Sequence, residues 1–215
     1  MTNKEIALEE RTTAGARLHS PSAERNRDAI RDVFLRLMPH AGAIVEIASG
    51  SGQHGVHIAA AAPDIQWRPG DPDAASRASI AAWTAHLGLA NVAAPHSADV
   101  THEGWENQFS AAAGVFSANM VHIAPFEAAK GLIAGTGRLL SPGGRLMLYG
   151  PFSRNGAHTA PSNEAFDASL KARDPRWGVR DLDRDITPLA TAAGLSLVEI
   201  IDMPSNNFSV IFEKS

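Results

Sequence analysis

The sequence predicts an α/β fold: a seven-stranded, mostly parallel sheet with helices on both faces. Three observations carry that expectation. From Ala43 onward, short apolar runs alternate with stretches of helical spacing. Runs such as 44–48 and 115–120 lack the regular apolar–polar alternation of a sheet wetted on one side, which is how strands covered on both faces read. The last two runs, 195–201 and 208–212, are joined by Met203-Pro204-Ser205-Asn206-Asn207. That link is too short for a crossover helix, so the two strands must be antiparallel neighbours.

The elements follow in order. Residues 1–18 are polar without periodicity and are expected to be a flexible tail ahead of a single domain over 19–215. Ser20 and Ser22, beside Pro21, are N-caps for a helix carrying Ile30, Val33, Phe34 and Leu37, which Pro39 stops. The first strand, 44–48, leads through a glycine turn into a helix with Val56 and Ile58. A second strand, 65–68, precedes a helix from Asp73 with Ile80, Trp83 and Leu87, closed by Gly88. A short third strand, 91–95, a helical turn marked by Trp105 and Phe109, and a fourth strand, 115–120, come next. The helix over 126–140 ends in Ser141-Pro142-Gly143-Gly144, a turn by composition, before the fifth strand, 145–149. Residues 150–184 are a polar insertion with Pro151, Pro161 and Pro175 and a short helix near 164–170, expected to act as a lid. A helix over 186–193, capped by Gly194, precedes the final hairpin.

Composition narrows the partners. With 215 residues and 44% hydrophobic content the chain can bury one substantial core. A net charge of −4 supplies no basic field for nucleic acid or an anionic membrane, so neither is an expected partner. The absence of cysteine removes disulfides, thiolate metal sites and a catalytic thiol. The first residues lack the apolar run of a secretory signal, and no later run is long enough to span a bilayer, so a cytoplasmic location is expected.

The chemistry gathers where strands end. Glu46-Ile47-Ala48-Ser49-Gly50-Ser51-Gly52-Gln53 puts glycines at the exit of the first strand, where a side chain would block a ligand approaching the next helix N-terminus. With Gly55 the string also satisfies G-x-G-x-x-G, so the glycines alone admit a nicotinamide cofactor. Asp71, just past the second strand, suits a ribose diol; its plain alternative is a turn residue, with Asp73 the better helix cap. Asp99, followed by Val100, ends the third strand region. All of these fall on one edge of an open sheet.

A sheet whose last strand inserts antiparallel resembles class I methyltransferases. That resemblance implies that Glu46 helps hold the ammonium of S-adenosylmethionine, that Asp71 takes its ribose and that Asp99 takes its adenine amino group. A closer resemblance, to the methyltransferase-like protein 26 family, rests on Ser20-Pro21-Ser22-Ala23-Glu24-Arg25-Asn26, on Ile47 to His54, on Asn119-Met120-Val121-His122-Ile123-Ala124-Pro125 and on Tyr149-Gly150-Pro151-Phe152. Residues 162–170, 173–178 and 203–207 extend it. It implies S-adenosylmethionine as cofactor and methyl transfer to a small-molecule acceptor. Arg25, Asn26, Ala48, Ser49, Gly50, Gly52, Val100 and Asn119 complete the expected cofactor rim, Arg25 and Asn26 having a solvated helix face as their alternative. Ala48 and Ser51 stand where the wider class often has glycine or threonine; both are small.

For the acceptor, His122 is the first candidate base, with a helix-capping histidine as the bland alternative. Tyr149 and Asp167 complete the catalytic candidates, while Phe152, Asn163, Phe166 and Trp177 are lid residues that either touch substrate or pack. His54 and His57 sit three apart on a helix without a further ligand, so no metal is expected. Two other readings are a nicotinamide-dependent oxidoreductase and a non-catalytic cofactor-binding module. A nucleobase amino-methyltransferase is disfavoured, since Asn119-Met120-Val121-His122 replaces the Asn-Pro-Pro-aromatic grip on a flipped base.

Overall fold

The computed structural model describes residues 11–215. It opens with an antiparallel hairpin, β1 (Thr12–Ala14) and β2 (Arg17–His19), followed by α1 (Pro21–Leu37). This corrects the expected tail over its described part, while residues 1–10 lie outside the described residues. The hairpin is tied down from a distance: Leu18 N–H donates to Ser79 Oγ at 2.8 Å and Trp83 Nε1 donates to the Leu18 carbonyl at 3.0 Å. Three-residue strands held by a remote helix carry no periodicity, so the sequence pattern could not announce them.

Ser20 caps α1 by accepting from Ala23 N–H, with Pro21 in the first turn where its missing N–H costs nothing. Ile30, Val33 and Phe34 form the buried stripe of that helix. The chain then alternates through β3 (Gly42–Ile47), α2 (Gln53–Ala61), β4 (Ile65–Gly70), α3 (Ala74–Leu87), β5 (Ala112–Ala118), α4 (Phe126–Leu139) and β6 (Leu140–Gly150). After the insertion, with α5 (Pro161–Arg173) in it, come α6 (Thr187–Ala192), β7 (Leu195–Met203) and β8 (Asn207–Lys214).

The main sheet runs β4-β3-β5-β6-β8-β7. β4, β3, β5 and β6 pair in parallel, and β8 enters antiparallel between β6 and β7. The expected third strand lies along the outer edge of β4 as isolated bridges, Trp67 to Val92 and Gly70 to His96. Pro69 and Pro95 each lack an N–H there, so the ladder is interrupted rather than continuous. The expected turn at 141–144 is instead a bulge inside β6: its pairing with β5 jumps from Ala112–Leu140 to Gly114–Arg145.

Successive residues feed opposite faces. Ile44, Phe116, Met147 and Ile211 pack with α1 and α2, while Val45, Val115, Leu146 and Phe212 pack with α4 and α6. On the first face Phe34, Trp67 and Phe116 form a tilted aromatic cluster with ring centroids 5.5 to 6.3 Å apart. Burying each such ring contributes about 2–3 kcal/mol, so this cluster holds α1 against the sheet. β3 has β4 on one side and β5 on the other, so the strand order reverses at the C-terminal ends of β3 and β5. That switch point is where open α/β sheets take ligands. No helix among the described residues is long and apolar enough to cross a membrane.

Candidate functional site

Beyond β3 the backbone turns sharply, with Ala48, Gly50 and Gly52 at φ 58°, 57° and 86°. At the end of the adjacent strand β5, Asn119 also has positive φ, 61°, fixed by its N–H to the Tyr149 carbonyl at 2.7 Å. Left-handed non-glycine residues such as Ala48 and Asn119 cost about 1 kcal/mol or more each, and here two face one another across the switch point. Two cavities meet at this place and share Ala48 and Ile123 in their walls.

The smaller cavity, about 140 Å³, is lined by Glu46, Ser49, Gly50, Ser51 and Asn119 from the strand ends. Asn26, Ser20, Ser22 and Ala23 of the α1 entry, His54 of α2 and Arg11 close it. The larger, about 330 Å³, falls within the range of roughly 300–1,000 Å³ usual for small-molecule pockets. Asp71, Pro72, Asp99, Val100 and Met120 line it, with Asp174, Arg176 and Trp177 of the insertion as its far wall.

Glu46 is 3% exposed and accepts from Trp67 Nε1 at 3.0 Å. Burial pushes its carboxyl up to about 8, against the opposing pull of the Trp67 hydrogen bond. A group held near neutrality in this way changes charge readily when a cation arrives. Asp71 is also raised by burial, but it is well oriented: Gly50 N–H donates to Oδ2 at 2.9 Å and Asp73 N–H to Oδ1 at 2.8 Å. Asp73 itself caps α3 through Ser76 N–H at 2.8 Å, as its position suggested. Asp99 accepts from Thr101 N–H and Oγ at the cavity rim, and Val100 supplies apolar floor beside Met120 and Ala128.

The glycine turn behaves differently from expectation. Ser49 N–H donates to the Gly70 carbonyl, Gly50 N–H to Asp71, and Gly52 N–H to the Ser49 carbonyl. None of these three donors is left for a phosphate. Gly52 does not face either cavity; a Cβ there would sit 3.0 Å from the Cα of Ile80, so its bare backbone serves the approach of α3.

Other expected site residues also fall outside these walls. Arg25 is exposed and donates to Ser22 Oγ, on the solvated face of α1. His122 is 0% exposed, and Arg180 N–H donates to its Nδ1 at 3.1 Å, so the ring proton belongs on Nε2. Burial depresses its pKa to about 3. It is therefore a neutral pin, joined by the Gly178 N–H to its own carbonyl and by the Arg180 side chain to the Val121 and Ala124 carbonyls. Asp167 works on the same insertion: it accepts from Val179 N–H at 2.8 Å and Lys171 Nζ at 2.5 Å. Burial alone would raise its carboxyl, but those two donors outweigh burial and hold it below the usual range. Tyr149 is buried in the sheet, where its hydroxyl accepts from Asn26 Nδ2 at 3.4 Å.

Sequence reasoning missed Arg11 and His54. The His54 ring bonds Asn26 Oδ1 at 2.8 Å, and burial lowers its pKa to about 4, so it too is a neutral wall residue. His57, by contrast, faces Asp28 and Arg31 at the surface. The histidine spacing gave no hint that only the first turns inward.

Sheet order, antiparallel last strand and cavities at the switch point together define the Rossmann-like fold of class I methyltransferases. Solved structures similar to this chain include an O-methyltransferase family protein from Burkholderia thailandensis, with TM-score 0.72, 17% identity and 88% of this chain covered. An O-methyltransferase family 2 protein from Planctomyces limnophilus in complex with apigenin has TM-score 0.71, 17% identity and 93% coverage. CalO1, a methyltransferase in calicheamicin biosynthesis, in its S-adenosylhomocysteine-bound form, has TM-score 0.69, 17% identity and 90% coverage. This chain spans 59%, 64% and 54% of those chains respectively. The chain belongs to the DUF938 family, described as proteins of unknown function, whose profile matches residues 17–214.

Proposed function

We propose that this protein binds S-adenosylmethionine across the two joined cavities and transfers its methyl group to a small-molecule acceptor. One observation carries the choice of cofactor: the N–H groups of Ser49, Gly50 and Gly52 are all used inside the protein, and Gly50 donates to Asp71. A dinucleotide needs free backbone donors at this turn for its pyrophosphate. A nucleoside that carries an amino-acid chain needs none there. It needs an acid in the smaller cavity, which Glu46 supplies, and a diol acceptor in the larger one, which Asp71 supplies.

When bound, S-adenosylmethionine supplies an electrophilic methyl group on a sulfonium. The residues of this chain bind and orient. Asp71 retains lone pairs for two ribose hydroxyls, because each of its oxygens accepts only one backbone N–H. Val100, Met120 and Ala128 give the adenine an apolar bed, with Asp99 at its edge and Trp177 opposite. Asn26 links Tyr149 to His54 and offers a polar wall to an acceptor. His122 and Asp167 hold the insertion that excludes water, in positioning roles rather than as bases.

Calorimetric titration with S-adenosylmethionine, S-adenosylhomocysteine and a nicotinamide dinucleotide tests the cofactor. Affinity for the dinucleotide with none for the other two ends this reading. Methyl-labelled cofactor incubated with cell extract then identifies acceptors; complete absence of transfer from a cofactor that binds would favour the non-catalytic module. The same proposal includes the methyltransferase-like protein 26 grouping and a cytoplasmic location. The grouping rests on the motifs at 20–26, 47–54, 119–125 and 149–152.

A further inference from the structure

The smaller cavity contains a guanidinium that no carboxylate of the described residues holds in an ion pair, Asp71 attracting it only from a distance. Arg11 lines it together with Glu46, Ser49 and Gly50, and its Nη2 lies 3.5 Å from where a Cβ on Gly50 would stand. Among the described residues Arg11 makes no ion pair, and its Nε is shielded from solvent with no acceptor in reach. A shielded guanidinium nitrogen with no partner costs about 1–3 kcal/mol or more, so a purely structural arginine would have found an oxygen. The lining of one cavity of about 140 Å³ therefore presents both an acid and a guanidinium with no ion-pair partner. One small group satisfies both: the ammonium and carboxylate on the α-carbon of an amino acid.

We infer that Arg11 grips the α-carboxylate of the ligand's amino-acid end, which makes the β1–β2 hairpin part of the binding site. This rests on the methyltransferase reading and adds to it the residue that recognises the carboxylate. Arg25, expected with Asn26 on the cofactor rim, lies instead on the exposed face of α1. The hairpin can hold Arg11 in place because its second strand and the entry to α1 are anchored. Leu18 is bonded to Ser79 and Trp83, and Ser20 N–H donates to Gln53 Oε1 at 2.7 Å. Ser79 in turn donates to the Ser51 carbonyl at 2.7 Å, so the hairpin and the glycine turn share one buried hydroxyl. The α1 and α2 N-termini flank the same cavity and add partial positive charge. Arg11 would thus select ligands with an intact amino-acid tail over nucleosides that have lost it.

The test compares S-adenosylhomocysteine with 5′-methylthioadenosine, which keeps the adenosine and sulfur but lacks the amino acid. Binding of both is measured by calorimetry to the full chain, to Arg11→Met and to Arg11→Lys. Arg11→Met should weaken S-adenosylhomocysteine about 10- to 100-fold, the loss of one charge-assisted pair, and leave 5′-methylthioadenosine within about twofold. Arg11→Lys should recover part of the loss. The nucleoside doubles as a check that the variant is folded. Equal weakening of both ligands, or no weakening of either, overturns the role of Arg11 while leaving the methyltransferase reading intact. If the unaltered protein binds neither adenosyl ligand, that reading itself fails and takes the assignment with it.

Discussion

Trp67 Nε1 donates to the Glu46 carboxyl at 3.0 Å, between neighbouring strands and under the bare backbone of Gly55. The bond fixes one carboxyl oxygen and keeps the group oriented toward the smaller cavity that it lines. Because burial holds Glu46 near 8, the free protein keeps it mostly protonated at neutral pH.

Binding of a ligand ammonium at Glu46 should then expel a proton. Affinity should rise with pH up to about 8 and level off above it, because the carboxylate no longer has to be made. Calorimetry with S-adenosylhomocysteine at pH 7, in buffers of different ionisation heat, should show release that Glu46→Gln abolishes. Identical heats for the unaltered protein and the variant, after correction for the buffer, would remove Glu46 from the ammonium site.

The same group sets a stability trend. The folded state holds the Glu46 proton from the unfolded value of 4.5 up to about 8, so its contribution is full below that window and is lost as pH rises through it. Urea unfolding at pH 5 and pH 8 should show a decline that is smaller in Glu46→Gln, since glutamine keeps the Trp67 bond without a proton to lose.

Gly55 is required by this pair. A Cβ there would stand 2.5 Å from Glu46 Oε2 and 2.5 Å from Trp67 Nε1, both rigid and buried. Gly55→Ala should therefore destabilise by about 1–3 kcal/mol, despite alanine's better helix propensity, and should weaken adenosyl ligands. A variant as stable as the parent in urea would mean that the pair can shift freely.

What could be read from the sequence was local, and what could not was tertiary. Strand exits, the N-caps Ser20 and Asp73, and the inserted last strand are written in short-range patterns, and so is the placing of Glu46, Asp71 and Asp99 along one edge of the sheet. Gly55 completes G-x-G-x-x-G in the sequence, whereas in the fold its space is taken by Glu46 and Trp67. Gly52 failed for the same reason, since Ile80 arrives from α3 and no local pattern predicts its approach. Arg11 sits in a polar stretch whose fold depends on Ser79 and Trp83, more than sixty residues away. His122 looked poised to titrate because sequence does not report burial.

His122 carries an acid-side prediction. With its pKa lowered to about 3 by burial, the folded state binds fewer protons than the unfolded state between about 3 and 6.5. Stability should thus fall as pH drops through that window, and any activity should show no inflection from this residue between pH 6 and 8. His122→Ala should cost about 3 kcal/mol, leaving the Arg180 N–H without its acceptor and a void beside Phe152. Its readout as a positioning residue is a loss of ligand affinity with an unchanged pH profile near neutrality; a neutral-pH inflection that vanished in the variant would restore it as a base.

Trp177 offers the most direct view of the larger cavity. Of the four tryptophans, Trp67 and Trp105 are buried in the core clusters and Trp83 is occupied by the hairpin, under Arg17 at 4.9 Å. Only Trp177 is in the lining of the cavity that Asp99 and Val100 also line, on an insertion fastened through Gly178 and Arg180 to the 121–124 loop. An adenine seated on Val100 and Met120 would meet that indole, so S-adenosylhomocysteine and 5′-methylthioadenosine should both change the intrinsic fluorescence. Trp177→Phe should remove most of that signal and weaken both ligands by about 3- to 10-fold, because an aromatic contact of roughly 0.5–1.5 kcal/mol is reduced. If the full signal persists in Trp177→Phe, the adenine lies elsewhere, and the wall formed by the insertion belongs to the acceptor rather than to the nucleoside.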